Sequence, residues 1–463
     1  MIKRLWRRGA QSIRSLSIIR LIPAVTLFMF ALLCFSGFYS IGLYRRFILS
    51  YPGILAFIAI GYSLDRGNHF NYPQYKVSFL YVAWIVIVYL SRGDIYLWDN
   101  ETHAVLVSQC ILCGLVLPFS IIGKDVQRRK YLDMLFCMIT CTMAALIWLC
   151  FIAVLRGENI VLLDDRFIFG ALYTYTNRIM LKVLNLHYYH LGFISTACFF
   201  MTLYLACSHR KRRLLPLWLF FLGTFTAGIL LTYARTSVFS FTGGLLMAFH
   251  ILLQRTSLKK EARRILFPAT ASVCIFLTGA GMNVIYKAVH SIRDIWYGIS
   301  TLSSRTEIWG ALIPFFREHP SALLFGMQPE VAMPIINEYL PQLGVISHMH
   351  SGYLQTLLAL GIPGFLCALV FTFFLIQSCI RVFFAQRGRI SNAVKMLCII
   401  PAVSVCMAAF DNTLFMGNEE SIILSLIFMF VSGYLFEIDR MLTHTEPEAQ
   451  NQNSKASSDK EPI

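Results

Sequence analysis

Long apolar runs alternate with short polar connections along almost the whole chain. Their lengths suit helices that cross a hydrocarbon core of ~30 Å, for which about 20 residues suffice. The pattern predicts twelve spans, near residues 18–42, 48–64, 77–91, 103–122, 132–155, 188–207, 214–232, 236–254, 265–286, 352–379, 394–412 and 419–437. Glycines and prolines inside these runs are compatible with spanning helices, because neighbouring groups satisfy the freed backbone. Two connections are much longer than the rest, 156–187 and 287–350. The chain therefore divides into an N-terminal segment 1–17, a polytopic domain 18–437 and a polar tail 438–463. From 442 onward the tail is rich in Glu, Ser, Asn, Gln and Lys, a composition that buries too little apolar surface to fold. The fold class expected is an all-α integral membrane protein of about twelve transmembrane helices, with short helices in the loop 287–350.

Composition sharpens this picture. The 463 residues are 57% hydrophobic and only 14% charged, whereas a soluble domain carries about 25% charged residues. No small-x-small cleavage site follows the basic N-terminus, and the first apolar run exceeds a signal-peptide core, so it reads as a retained helix. The net charge of +16 invites a nucleic-acid partner, but the cations cluster in short connections without an aromatic-interleaved basic face. Lys124, Arg128, Arg129 and Lys130, then Arg210 to Arg213, then Arg255 to Arg264, then Arg381, Arg387 and Arg389 occupy alternate connections. The intervening ones carry Asp94, Asp99 and Glu101, then Asp164 and Asp165, then Asp411, Glu419 and Glu420; only Arg45 and Arg46 offend. By the positive-inside rule the N-terminus and tail are cytoplasmic, and 156–187, 233–237 and 287–350 face outward. The 13 cysteines lie mostly in apolar spans and read as small hydrophobes. Cys110 and Cys113 form a CxxC in mid-helix, without a redox context. No internal repeat of the inverted transporter kind is present.

The outward connections hold the polar residues that could carry chemistry. Arg235 sits in a very short turn between two apolar runs. A snorkelling interfacial arginine accounts for it as well as a guanidinium held rigidly to meet phosphate does. Arg305 opens a short amphipathic helix, where a surface pair with Glu307 is the plain alternative. His348 and His350 open the tenth run, and on a helix residues two apart point to roughly opposite sides. His187 and His190 are conceivable metal partners, but no Cys/Asp/Glu set at zinc spacing accompanies them, so no metal is expected. A neutral imidazole is better placed as general base for a hydroxyl. Gly361 and Gly364 read as a close-approach face within the tenth span. Neither Gly-x-Ser-x-Gly nor Ser-x-x-Lys occurs at the outward face, which leaves an intramembrane protease unsupported.

The pattern His350-Ser351, nine residues, Gly361-x-x-Gly364 resembles the signature of the bacterial O-antigen ligase and O-antigen polymerase superfamily. Arg305-x-x-x-Trp309 and the stretch Phe316 to Pro320 followed by Gly326 resemble its preceding loop, and Arg235 its other arginine. Two departures concern the subfamily: Ser351 stands where Asn is frequent, and Gly326-Met-Gln328 replaces Gly-x-Gly. The resemblance spans roughly 230–365. It implies a GT-C-like glycosyltransferase of the bacterial cytoplasmic (inner) membrane that moves a glycan from a polyprenyl diphosphate carrier to an acceptor hydroxyl on the outer face, with inversion and without cofactor or metal. A ligase delivers the glycan to lipid A–core, and a polymerase to another carrier-linked repeat; His350-Ser351 favours the ligase. Carried over residue by residue, His350 is the base, Arg235 and Arg305 meet the diphosphate, and His348, Trp309 and Tyr353 contact substrate. The expected partners are thus a lipid-linked glycan donor, a glycolipid or carrier-linked acceptor and membrane lipid, with no nucleic acid. A flippase for lipid-linked glycan is the alternative of another class, but it needs cations midway across the membrane rather than on one face.

Overall fold

The computed structural model describes residues 73–92, 125–155, short strands within 160–182, 188–253 apart from 210 and 233, 304–415 apart from 387 and 388, and 422–458. The expected spans 18–42, 48–64, 103–122 and 265–286 lie outside the described residues, as do segment 1–17, His187 and the start of the loop 287–350. The other eight expected spans coincide with helices. These are α1 (Pro73–Arg92), α2 (Asp125–Leu155), α3 (Tyr188–Ser208), α4 (Leu215–Leu231) and α5 (Arg235–Leu253), which precede the long loop. The loop carries α6 (Arg305–Gly310), α7 (Leu312–Glu318), α8 (Pro320–Phe325) and α9 (Pro329–Glu338). After it come α10 (Gly352–Phe384), α11 (Asn392–Leu397), α12 (Ile399–Phe410) and α13 (Ile422–Ser458). Among the described residues six helices or helix pairs have the length and apolar character to cross a membrane. The all-α expectation has one local exception. In the connection 156–187, β1 (Ile160–Val161) pairs with β2 (Ile168–Phe169), and β3 (Ala171–Tyr175) with β4 (Arg178–Lys182), both antiparallel.

One buried apolar cluster unites α1 to α5 with α10 to α13 and includes Phe136, Phe200, Phe225, Phe428 and Tyr434. A second, smaller cluster holds the outward loop together: Ile308, Leu312, Phe315, Ala332 and Ile336 close over Met349 and Leu358. The loop's helices are short because prolines restart them, Pro320 at the head of α8 and Pro329 at the head of α9. Asn337 exchanges two hydrogen bonds of 3.0 Å with the backbone of Ile346, which draws the return stretch back against α9. The loop is thus a small folded cap.

The tenth expected span needs correction. Hydropathy is continuous from 352 to 384, yet Gly361 has φ 68° and ψ −171°, which no helix tolerates. Tyr353 Oη lies 3.0 Å from Thr372 Oγ1. In a straight helix residues 19 apart stand ~28 Å from each other. The helix therefore doubles back at Gly361 into a hairpin. Its first arm, 352–360, is about 13 Å long and cannot cross a bilayer. The second, from 362 to 384, runs about 33 Å and is the crossing helix. Gly361 and Gly364 accordingly serve a reversal rather than a helix–helix face. A Cβ on Gly361 would stand 2.2 Å from Leu324 O, and one on Gly326 2.3 Å from the backbone carbon of Ala359. The hairpin tip is fastened by Met327 N–H to Leu358 O at 2.7 Å and by the Trp84 indole N–H to Leu360 O at 2.8 Å.

Two smaller differences follow. The expected span 394–412 is broken between α11 and α12, where Pro401 has no N–H to give to Leu397. The tail was expected to be unstructured from 438, but α13 continues to Ser458, and Ile438 and Asp439 are buried.

Candidate active site

The site is built where the outward cap meets the first arm of the α10 hairpin. Met349 is fully buried, and its peptide is pinned on both sides. Its N–H donates to Gln355 Oε1 at 3.0 Å, and its carbonyl accepts the Trp309 indole N–H at 2.9 Å. This clamp sets the flanking histidines. Contrary to the sequence expectation, they precede the helix rather than open it, and their rings lie side by side with centroids 4.1 Å apart. His350 N–H donates to His348 Nδ1 at 3.2 Å. Ser351 then caps α10, its hydroxyl accepting from Leu354 N–H at 3.4 Å.

The segment after α12 closes the site from the other side. Asp411 O accepts Gly352 N–H at 2.9 Å, and a Cβ on Gly352 would stand 2.0 Å from Thr413 O. Only glycine admits that approach. Asp411 is 2% exposed, and Arg305 Nη2 reaches its Oδ2 at 3.6 Å. This is a loose ion pair, too long for a good hydrogen bond. Arg305 thus pairs across the fold rather than with the neighbouring Glu307. Its Nε is buried without a hydrogen-bond partner among the described residues, as are His350 Nδ1, Asn412 Oδ1 and Thr413 Oγ1.

Backbone strain gathers at the same place. Among the described residues, the non-glycine residues with positive φ are Ser304, His350, Leu414 and Phe415. They precede Arg305, carry the imidazole, and follow the Asp411–Thr413 stretch. Each such conformation costs on the order of 1–3 kcal/mol and persists only where surrounding packing enforces it. Burial lowers the His350 pKa, with help from His348 and the Arg305 guanidinium, to about 3. The ring is therefore neutral at ordinary pH and able to accept a proton, and burial is the main reason it is a weak base.

Arg235 is the first residue of α5 and half-buried. Helices α5 and α12 run antiparallel. Asn392 Nδ2–H donates to Ile251 O at one end, and Gly244 abuts Ile399 farther along. Arg235 therefore lies at the end of the bundle where Phe410 leads into Asp411. The start of α3 packs on the same turn, since a Cβ on Gly192 would stand 2.7 Å from both Ser237 Oγ and Thr232 Oγ1.

The structure thus gathers Arg305, His348 and His350, and carries Arg235 to the same end. Trp309 spends its indole N–H on the Met349 clamp, and Tyr353 turns its hydroxyl to Thr372 and packs its ring on Phe415 at 5.5 Å. His190 is buried edge-on to Phe193, and no group of three metal-ligating side chains forms among the described residues. Because Tyr353 is level with Thr372, the site is recessed by about 15 Å from the hairpin tip along the crossing arm. Asp411 and its neighbours are the part the sequence reading missed. In sequence Asp411 served only as an outward acidic charge that fixed orientation.

Residues 218–369 match the family described as O-antigen ligase. The matched stretch contains Arg235, Arg305, Trp309, His348, His350, Tyr353 and the Gly361 reversal, while Asp411 lies beyond it. No curated protein matches the chain. This stretch is thus similar to the O-antigen ligase family over about a third of the chain, in agreement with a multi-pass helical membrane domain.

Proposed function

We propose that this protein transfers a glycan from a polyprenyl diphosphate carrier to an acceptor hydroxyl at the outer face of the bacterial inner membrane, as an O-antigen ligase acting on lipid A–core. The observation that carries this reading is the recessed meeting of a loosely paired guanidinium, a neutral half-buried imidazole and a buried carboxylate at one end of the bundle. The orientation is supported by charge. Arg128, Arg212, Arg213, Arg381, Lys395 and Arg440 stand at helix ends on the side away from the site, as cytoplasmic ends do.

The chemistry is a single displacement. The acceptor oxygen forms a bond to the anomeric carbon as the bond from that carbon to the diphosphate oxygen breaks. The hydroxyl proton passes to His350, and the departing diphosphate keeps the electron pair. One displacement inverts the anomeric centre. Arg305 and Arg235 meet the growing charge, and preorganised donors of this kind contribute about 3–4 kcal/mol each in a dehydrated site. The loose bond to Asp411 leaves Arg305 able to turn towards the diphosphate. Diphosphate binding also cancels part of the positive field that lowers the His350 pKa, so the base strengthens as the donor arrives. A positioned base adds on the order of 10²–10⁴ to the rate. Arginine meets the diphosphate charge directly, so the proposed mechanism requires no metal. Trp309 and Tyr353 shape the site from the outside and from beneath, and His348 stands beside the base as an acceptor contact.

The test is transfer by purified protein from polyprenyl diphosphate-linked glycan, with lipid A–core and a second carrier-linked repeat offered together. Glycan on lipid A–core establishes the ligase, and elongated carrier-linked glycan establishes a polymerase instead. If neither acceptor is used and the protein instead moves intact donor across vesicles, the transferase reading fails.

A further inference from the structure

Gln355 stands one turn into α10, in the first arm of the hairpin, and is buried. Its N–H donates to Ser351 O at 2.8 Å, as an ordinary helical residue does. Its side chain does something else. Oε1 reaches back past the start of the helix and accepts Met349 N–H at 3.0 Å. A buried peptide N–H requires an acceptor, and here a side chain six residues ahead supplies it in place of backbone. A neutral amide whose oxygen is bonded in this way brings no charge to a diphosphate.

Between Met349 and Gln355 lies the strained turn. His350 has φ 49°, in the left-handed region that residues with a Cβ seldom enter. On its far side the turn is fixed by the Ser351 cap and by Gly352 N–H on Asp411 O. On its near side the Met349 peptide is fixed by Gln355 at the N–H and by Trp309 at the carbonyl, and His348 Nδ1 accepts the His350 N–H. Trp309 comes from the cap, whereas Gln355 belongs to the arm that His350 leads into. The bond from Gln355 therefore closes the turn on itself. Without it, φ of His350 can relax to a negative value, which redirects the Cα–Cβ bond and the imidazole with it.

Resting on the reading of His350 as the base, we propose that Gln355 is its positioning residue: by holding Met349 N–H it keeps His350 in the left-handed turn that presents the imidazole to the acceptor hydroxyl. Gln355 touches no reacting atom and acts through the Met349 peptide. A base contributes only within hydrogen-bond reach of the proton it takes. A misplacement of about 1 Å costs on the order of 10²-fold in rate.

The test is a double-mutant cycle of Gln355→Met and His350→Ala in the full-length protein, read by donor binding and single-turnover transfer from polyprenyl diphosphate-linked glycan. Methionine matches the length of glutamine and lacks the amide acceptor. We expect Gln355→Met to bind donor within a few fold of wild type and to slow transfer by about 10²-fold. In the His350→Ala background the same change should add less than about threefold, because residues that act as a unit are not additive. Gln355→Glu keeps an acceptor oxygen in either protonation state and should recover transfer to within about tenfold of wild type. If Gln355→Met does not fold, Trp309→Phe loosens the same peptide from its carbonyl side, and its loss should depend on His350 in the same way. In the folded variant, wild-type transfer, a loss that adds in full to that of His350→Ala, or a loss confined to donor binding overturns the proposal. Those outcomes leave the base itself standing, since His350→Ala alone tests it. Wild-type transfer by His350→Ala would instead remove the base, and this proposal with it.

Discussion

The two polar ends of this bundle are built by opposite rules. At the end holding Glu437 and Asp439, carboxylates are met by several short bonds from arginine, tyrosine and serine. At the other end Arg305 stands 3.6 Å from Asp411, and Arg305 Nε and His350 Nδ1 lack hydrogen-bond partners among the described residues. The positive-φ residues also gather there. Satisfied polar groups fix helices against one another. Polar groups with few protein partners, held there by strained backbone, keep donors and acceptors that a substrate can meet.

Substitution should separate the two regions. Glu437→Gln leaves Arg128 and Arg440 facing a neutral amide, and breaking a buried pair in this way costs about 3–5 kcal/mol. We expect that loss in the thermal midpoint and folded yield, with the rate per folded molecule little changed. Arg305→Lys keeps the charge but loses the planar fork. Transfer should fall by about 10²–10³, equivalent to roughly 3–4 kcal/mol, with folded yield preserved. Full activity in that variant would reduce Arg305 to a structural pair with Asp411.

Gly361→Ala sharpens the comparison differently, because it strikes the scaffold beneath the site. It imposes φ 68° on a residue with a Cβ and drives that Cβ to 2.2 Å from Leu324 O. We expect about 1–3 kcal/mol of destabilisation and a parallel loss of transfer, read by thermal unfolding and by assay of the same preparation. A variant with unchanged midpoint would show that the reversal is not enforced.

The smallest expected effect is a flat line. His350 has its pKa lowered to about 3, chiefly by burial, so it stays neutral as pH falls from 8 to 5. The pH profile of kcat/KM, which reports the free enzyme, should show no limb from His350 across that range. Because the folded pKa lies below the ordinary ~6.5, any stability linked to this ring is present above that pH and is lost as pH falls towards 3. An inflection near 6.5 that vanishes in His350→Gln would contradict this placement of the ring.

How much of this was legible in sequence depends on the range of the interaction. Eight expected spans fall on described helices because length and apolar content are local properties. Short helices in the cap were also expected, though the prolines that start α8 and α9 were not used to place them. The hairpin was not, since Ile362 and its neighbours are as apolar as a continuous span and only the backbone of Gly361 reveals the turn. Arg305 and His350 stood out by type and pattern. Their juxtaposition with Asp411 comes from packing between the cap and the end of α12, which no local pattern encodes. The histidine pair misled for a related reason. Helical spacing separates residues two apart, but the Met349 clamp and the positive φ of His350 bring the rings together.

The most direct measurement compares donor binding and single-turnover transfer in wild type and His350→Ala, using polyprenyl diphosphate-linked glycan and saturating acceptor. We expect donor binding to be retained within a few fold while the transfer step slows by about 10²–10⁴. Transfer by His350→Ala at the wild-type rate would contradict the assignment of His350 as the base.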